Sequence, residues 1–337
     1  MSADSTRRVQ IAGLGRYLPA RVVGNAELEA QFGLEPGWIL AHNGVEERRR
    51  ADVAAGETAT WMAARAAREA LDDAGLAPED LDLILNASGT AEQAIPDGAP
   101  LVQHQLGLGT SGCAAYSVHA TCLSFLVALD TAAALIACGR HRRALVVSAD
   151  VGSASVIGVD PESETLWGDA AAAVVLTAAP RGSESALHRV CMHTHGARAD
   201  LTEVRGGGTR LFPGRAGLAA SELRDELRFV MRGPEVLRHS LRMARPFFAE
   251  LLPEGPLGLD LIVPHQPSLA GLEALAALGL PRDRTVSTLR QLGNCVAASL
   301  PCTLYEAQRT GALRRGHRLL LFGTGAGLSM AGALWTF

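Results

Sequence analysis

Short apolar runs alternate along this chain with longer Ala-, Leu- and Arg-rich amphipathic stretches, and that alternation restricts it to an α/β architecture. The apolar runs predict strands over Val9–Ala12, Leu81–Asn86, Ala144–Ser148, Ala171–Leu176, Leu259–Val263 and Leu319–Phe322. The amphipathic stretches predict helices over Asn25–Phe32, Thr58–Ala74, Leu123–Cys138, Gly233–Leu252, Leu269–Leu278 and Ala298–Thr310. Gly196–Ala220, rich in Gly and Arg, reads as an irregular excursion over the surface.

At 337 residues the chain is long enough for two domain-sized cores or one large duplicated architecture. A faint internal repeat favours the second. Around Cys122 the order is turn, reactive-type residue, long helix, Gly139-Arg140-His141-Arg142-Arg143 and a strand. Around Asn294 it is turn, polar residue, long helix, Arg314-Arg315-Gly316-His317-Arg318 and a strand. The interval from key residue to strand is roughly two dozen residues in both. Two related halves, 1–180 and 181–337, would bring two helix N-termini, one bearing Cys122 and one bearing Asn294, toward a common centre. Chance similarity between two apolar α/β units is the alternative.

A formal net charge of −4 argues against nucleic-acid or anionic-membrane partners. The chain contains no lysine, so every fixed basic side chain is arginine. Six cysteines show no C-x-x-C spacing and no paired His motif, so no metal site is expected. The polar start Met1–Arg8 lacks an apolar signal region, and no apolar run is long enough to span a bilayer without Gly, Pro or charge. The expectation is a cytoplasmic protein with reduced thiols.

Cys122 falls where the apolar segment around Ala114–Val118 meets the long apolar stretch Leu123–Cys138. At a helix N-terminus unpaired N–H groups and the helix dipole favour thiolate over thiol. Such a thiolate can attack a thioester, with the Cys122 N–H contributing to an oxyanion hole. A free cysteine is also often an inert small hydrophobe. Downstream stand His265, at a strand end in Val263-Pro264-His265-Gln266, and Asn294, in Leu292-Gly293-Asn294. Neutral His and Asn side chains can together hold a developing enolate oxygen, as decarboxylation of a malonyl thioester requires. Asn in a Gly-Asn turn also serves as a backbone device. A papain-like hydrolase would use the same residue types in the same order, so order does not choose between the two. Gly323-Thr324-Gly325-Ala326-Gly327-Leu328-Ser329 follows an apolar strand and lacks the Lys-Ser/Thr of a P-loop. It can instead let backbone approach a substrate and offer N–H groups to an oxyanion. Gly13-Leu14-Gly15 is half a dinucleotide fingerprint with no third Gly in register, and a Rossmann reading is rejected.

An ordered set of segments resembles the ketoacyl synthase III family of the thiolase superfamily (β-ketoacyl-acyl-carrier-protein synthase III) nearly end to end. The set runs from Gly13-Leu14-Gly15-Arg16-Tyr17-Leu18-Pro19 through Trp38-Ile39 and Asn43-Gly44-Val45-Glu46-Glu47-Arg48 to Ala120-Thr121-Cys122-Leu123-Ser124-Phe125. It continues with Gly168-Asp169-Ala170-Ala171-Ala172, Pro264-His265-Gln266, Gly293-Asn294-Cys295-Val296-Ala297-Ala298-Ser299 and the final Gly-rich loop. The resemblance implies a five-layer αβαβα thiolase-like fold of two pseudo-duplicated halves, a homodimer, and a ping-pong Claisen condensation that needs no cofactor. Acyl-coenzyme A or acyl-carrier-protein thioesters would be the substrates. Cys122 would be acylated, His265 and Asn294 would support decarboxylation of a malonyl extender, and the Cys122 and Ala326 backbone N–H groups would form the oxyanion hole.

Substrate or coenzyme A contacts are implied at Trp38, His42, Ile95, Leu237 and Arg238. Trp38 matches an aromatic residue that stacks on adenine, with a buried core Trp as the alternative. His42 replaces a family Arg, which weakens phosphate contact there. Positions near the helix after His265 that usually meet an acyl carrier protein read Ala270 and apolar neighbours, although Arg238 keeps one positive charge of that surface. Ile95, before Pro96, matches a partner-subunit residue that closes the acyl pocket, and its size leaves room for a longer or bulkier acyl group. Glu92 and Asp97 on the same loop offer a base for condensation without decarboxylation, or are solvated loop charges. The runner-up to condensation is acyl transfer to an alcohol or amine on the same scaffold. A thiol hydrolase and a non-catalytic half of a heterodimer are further alternatives.

Overall fold

The computed structural model of the protein describes residues 6–155, 160–211 and 220–337. Two main sheets organise it. In the first, the strand order is Val9–Tyr17, Asp169–Ala178, Arg143–Val151, Leu83–Asn86, Ala114–Ser117. In the second it is Leu261–Pro264, Arg318–Gly325, Ser329–Thr336, Ala186–Thr194. Both repeat one pattern, a parallel pair followed by two antiparallel neighbours. The first sheet adds an edge strand, of which the second keeps one isolated bridge, Ile262 to Thr285.

Alternate residues of each strand enter different cores, and this sets the layers. In the first sheet Val146 and Val174 face the middle of the molecule, while Val147 and Ala173 face the outer helix Ala59–Ala74. In the second sheet Leu319 and Leu321 face the middle, while Leu320 and Phe322 face a core that includes Met243, Phe247 and Leu251 of the helix Gly233–Leu251. The helices Ser124–Ala137 and Ser299–Arg309 contribute Phe125, Leu129, Leu300 and Leu304 to the middle core. The stacking is therefore helix, sheet, helix, sheet, helix. A strand covered on both faces loses its polar positions, and Ala170 through Leu176 are all fully buried. The Ser124–Ala137 helix is apolar around most of its circumference because sheets close on it from both sides.

The six helices and six strands expected from the sequence are present, with ends shifted by a few residues. Strands Ala186–Thr194 and Ser329–Thr336 were not anticipated. The Gly196–Ala220 excursion holds a short 3-10 segment and the two-residue strand Thr202–Glu203, and residues 212–219 lie outside the described residues. No helix among the described residues is long and apolar enough to cross a membrane.

Gly13 and Gly15 owe their place to packing rather than to a nucleotide. A Cβ on Gly15 would lie 2.1 Å from the Ala66 carbonyl oxygen, and one on Gly13 would lie 2.2 Å from that of Ala70. The first strand thus rests directly on the backbone of the Ala59–Ala74 helix, whose inward face is alanine. Gly15→Ala is expected to lower folding stability by about 3 kcal/mol or to prevent folding, because backbone atoms cannot yield as side chains do. Chemical denaturation checks it, and an unchanged midpoint would show that strand and helix can separate freely.

Candidate active site

The edge strand Ala114–Ser117 runs toward a 3-10 turn, Thr121–Leu123, which opens directly into the Ser124–Ala137 helix. Ser124 closes the turn: its Oγ accepts the Ala120 N–H at 2.9 Å and donates to the Thr121 carbonyl at 2.7 Å. Thr121 takes a left-handed backbone, φ 52°, a conformation that a β-branched residue adopts only under constraint. Cys122 follows at the helix entrance, partly exposed and packed in an apolar cluster with Val45, Leu166, Trp167, Leu289 and Val296.

Two backbone N–H groups, of Cys122 itself and of Ala326, reach the Cys122 sulfur and favour its charged form. They do not prevail. Burial pushes the thiol up to about 12, the charge of Asp150 adds to the rise, and the two N–H groups offset only part of it. The expectation that the helix entrance favours thiolate over thiol is thus corrected. The helix N-terminus is present, but desolvation outweighs it, and Cys122 rests as a thiol.

His265 lies just beyond the strand Leu261–Pro264, its N–H donating to the Phe322 carbonyl at 2.7 Å. The side chain is 3 % exposed, and burial pushes its pKa down to about 4, so the imidazole is neutral at ordinary pH. Its Nδ1 is buried without a hydrogen-bond partner. Placing the single ring proton on Nε2 avoids an orphaned N–H there. Gly323 is what lets the two halves meet: a Cβ on it would lie 3.0 Å from His265 Cβ and 3.0 Å from Leu123 Cδ2.

Asn294 is tied by its backbone to Leu166 and Gly168, at 2.9 and 3.0 Å. Its Oδ1 accepts the Val296 N–H at 2.9 Å, and its Nδ2 donates to the Pro267 carbonyl at 3.2 Å, two residues past His265. The structure therefore brings Cys122, His265, Asn294 and Ala326 into one region between the halves. Among the described residues no group of three or more His, Cys, Asp or Glu side chains is placed to hold a metal ion.

The second half carries a twin of the Cys122 turn. Val296–Ala298 is also a 3-10 turn, Val296 also has φ 52°, and Ser299 Oγ accepts the Cys295 N–H at 2.8 Å before the Ser299–Arg309 helix. By this pattern Ala297, not Asn294, stands in the place of Cys122. The repeat is present, but its expected pairing of Cys122 with Asn294 shifts by three residues. Asn294 precedes the turn, where the first half has His119.

The remaining expected contacts are more dispersed. Trp38 packs beside Val23, Leu28 and Ile39, and the His42 ring stacks on it at 4.0 Å and 15°, so one indole face is already occupied. Leu237 is half-buried and Arg238 exposed on the helix Gly233–Leu251. Ile95 is 87 % exposed on this chain. Glu92 and Asp97 are engaged as structural acceptors: Glu92 takes the Thr60 N–H at 2.7 Å, while Asp97 takes the Ala99 N–H at 3.0 Å and the Ser117 hydroxyl at 2.9 Å. Neither is a free base over the site. Sequence reasoning passed over Trp167 and Phe229, which meet edge to face at 4.7 Å beside Cys122, and it passed over Asp150. The only cue to Asp150 was a carboxylate closing an otherwise apolar run.

Residues 116–196 match a family model described as 3-oxoacyl-[acyl-carrier-protein (ACP)] synthase III, and residues 256–337 match the model of its C-terminal part. A beta-ketoacyl-[acyl-carrier-protein] synthase III of Cereibacter sphaeroides is 38% identical over 331 residues, covering 96% of this chain and 97% of its own. The crystal structure of a 3-oxoacyl-(acyl carrier protein) synthase III from Pseudomonas aeruginosa superimposes with a TM-score of 0.86 at 31% identity, covering 98% of both chains. The priming beta-ketosynthase from the R1128 polyketide biosynthetic pathway gives a TM-score of 0.85 at 27% identity, covering 99% of this chain and 98% of that one. With a thiolase-like fold, a helix-entrance cysteine and whole-length similarity of this degree, the chain belongs to the 3-oxoacyl-[acyl-carrier-protein] synthase III family.

Proposed function

We propose that this acyltransferase forms carbon–carbon bonds by decarboxylative Claisen condensation, in fatty-acid or polyketide biosynthesis. The Cys122 sulfur attacks the carbonyl carbon of an acyl thioester, the donor C–S bond breaks, and the thiol proton ends on the departing thiol. The acyl oxygen rests against the Cys122 and Ala326 N–H groups. A malonyl-type thioester then loses carbon dioxide, and the electron pair of the broken C–C bond enters an enolate. Its oxygen is held by His265 Nε2–H and Asn294 Nδ2–H. The enolate carbon attacks the acyl carbonyl, the Cys122 C–S bond breaks, and the thiolate takes up a proton as the 3-oxoacyl thioester leaves.

The observation that carries this reading is the approach of the Ala326 N–H to the Cys122 sulfur, with the buried, neutral His265 imidazole across Gly323 from Leu123. Decarboxylation needs donors to a developing oxyanion, and a neutral imidazole in a low-dielectric site supplies one without a compensating charge. Transfer to an alcohol or amine would ask the same imidazole to act as a base, and a group protonated only near pH 4 is a weak one. Each step falls to side chains and backbone N–H groups, so coenzyme A and carrier-protein thioesters enter as substrates rather than cofactors. In this reading Trp38, with Leu237 and Arg238, belongs to the surface that receives the coenzyme A or carrier-protein arm.

The reading includes a homodimer. Ala114–Ser117 is an edge strand with Tyr116 39 % exposed, and Ile95 stands in solvent on a nearby loop. An unpaired edge bearing apolar side chains is what a second copy covers. Sedimentation velocity is expected to give the mass of a dimer; a monomer with full condensing activity would overturn this part.

Cys122→Ala is expected to abolish the acyl adduct seen by intact mass after mixing with acyl-coenzyme A, while the thermal midpoint stays close to that of the parent. A collapse in stability without loss of adduct formation would make packing the main task of this residue. Asn294→Ala is expected to slow carbon dioxide release from radiolabelled malonyl thioester by about 10²–10³-fold, the effect of one lost oxyanion donor, or about 3–4 kcal/mol. Transfer of the acyl group to an alcohol with no carbon dioxide release would favour the competing chemistry. Burial disfavours the imidazolium, so the His265 ring resonances, assigned with a His265→Asn variant, should not titrate between pH 8 and 5.5. A midpoint near 6.5 would mean that the ring is hydrated.

A further inference from the structure

A buried carboxylate lies at the centre of this site with no part in the chemistry above. Asp150, near the end of the strand Arg143–Val151, is fully buried. Its Oδ1 accepts the Gly89 N–H at 2.8 Å, the Thr90 N–H at 2.7 Å and the Thr90 hydroxyl at 2.9 Å. Its Oδ2 accepts the Ala298 N–H at 3.0 Å. Four donors converge on it, the setting of an acceptor-only carboxylate.

The two oxygens grip two different parts of the site. Ala298 closes the Val296–Ala298 turn, whose first residue has the left-handed φ of 52° and donates its N–H to Asn294 Oδ1. With Oδ1 fixed in that bond, the direction of Asn294 Nδ2 follows from where the turn is held. On the other side, Gly89 begins the loop that leads to Ile95. A Cβ on Gly89 would lie 2.5 Å from Val296 Cγ1 and 3.3 Å from the Thr121 carbonyl oxygen, so this backbone is wedged between the twin turns.

We infer that Asp150 is a positioning residue that acts through Ala298 to aim the Asn294 carboxamide and through Gly89 and Thr90 to lock the neighbouring loop against the same turn. The inference rests on the role given to Asn294 above. The hydrogen bonds of Asp150 go to Gly89, Thr90 and Ala298 and none goes to the Cys122 sulfur. The Asp150 charge raises the Cys122 thiol, so removing that charge leaves the thiol easier to ionise for acyl loading. A defect confined to the second half-reaction is therefore the signature, and general loosening of the fold would not produce it.

Asp150→Asn keeps the size of the side chain but sets an NH₂ group against one of the facing N–H donors. On the full-length enzyme, loading is read by intact mass and condensation by carbon dioxide release from radiolabelled malonyl thioester on preloaded protein. Condensation is expected to slow by about 30–100-fold with KM for the malonyl thioester within about threefold and loading no slower than in the parent. Because the two residues act as one unit, Asp150→Asn combined with Asn294→Ala should be no slower than Asn294→Ala alone. Thr90→Val, which removes only the hydroxyl bond, carries the same comparison if Asp150→Asn does not fold, with an expected loss of about three- to tenfold in condensation alone. Loading and condensation falling by the same factor, or single effects that multiply in the double variant, would overturn the inference. Asn294→Ala with undiminished carbon dioxide release would overturn the role of Asn294 and this inference with it. Asn294→Ala inactive beside an unimpaired Asp150→Asn would overturn the Asp150 inference alone.

Discussion

Burial of two helices between two sheets is the constraint on which everything else depends. Ser124–Ala137 and Ser299–Arg309 share one core with the inner faces of both sheets, so their entrances cannot drift relative to the strand ends beside them. At those entrances the chain makes matching turns, each closed by a serine hydroxyl and each starting from a left-handed β-branched residue. Such backbone would cost of order 1–3 kcal/mol at each position if it were free to relax. Close packing of the middle layer is what holds it.

The same burial sets the electrostatics of the site. It raises the Cys122 thiol to about 12 and lowers the His265 imidazole to about 4, so both reactive groups rest uncharged. Apart from the Asp150 carboxylate, such a site has little ground-state charge to stabilise. Its backbone and side-chain N–H groups act most strongly when the reaction itself creates negative charge. Desolvation also pushes Asp150 up to about 6, and its hydrogen bonds pull the other way. Charge at the centre of this molecule is thus concentrated where hydrogen-bond donors are dense.

Much of the layout was legible in the sequence because strands covered on both faces become continuous apolar runs, as in Ala144–Ser148 and Ala171–Leu176. Strand Ala186–Thr194 escaped notice because it borders the second sheet and mixes His, Arg and Thr with its apolar residues. Ser329–Thr336 was hidden by Gly332 and by the Gly-rich loop before it, although it pairs along its length with Arg318–Gly325. The motifs singled out Cys122, His265 and Asn294, and a neutral imidazole belonged to that reading, whereas the raised thiol of Cys122 was not legible. A helix dipole is local and can be read from neighbouring residues; desolvation sums over segments distant in the chain. Asp150 was opaque for the same reason, since its partners Thr90 and Ala298 lie 60 and 148 positions away. The register of the repeat slipped because an Asn is conspicuous in a sequence and an Ala is not.

The twin turns carry a consequence for how this scaffold can be divided. Ala297 occupies the helix entrance that Cys122 occupies in the first half, so one copy holds a thiol and the other a methyl group in the same backbone setting. The copies have ceased to be interchangeable: sulfur belongs to one, while the imidazole, the carboxamide and the Ala326 amide belong to the other. On the proposed function neither half on its own would contain a working centre, and the covalent join between them fixes the stoichiometry of the parts at one to one.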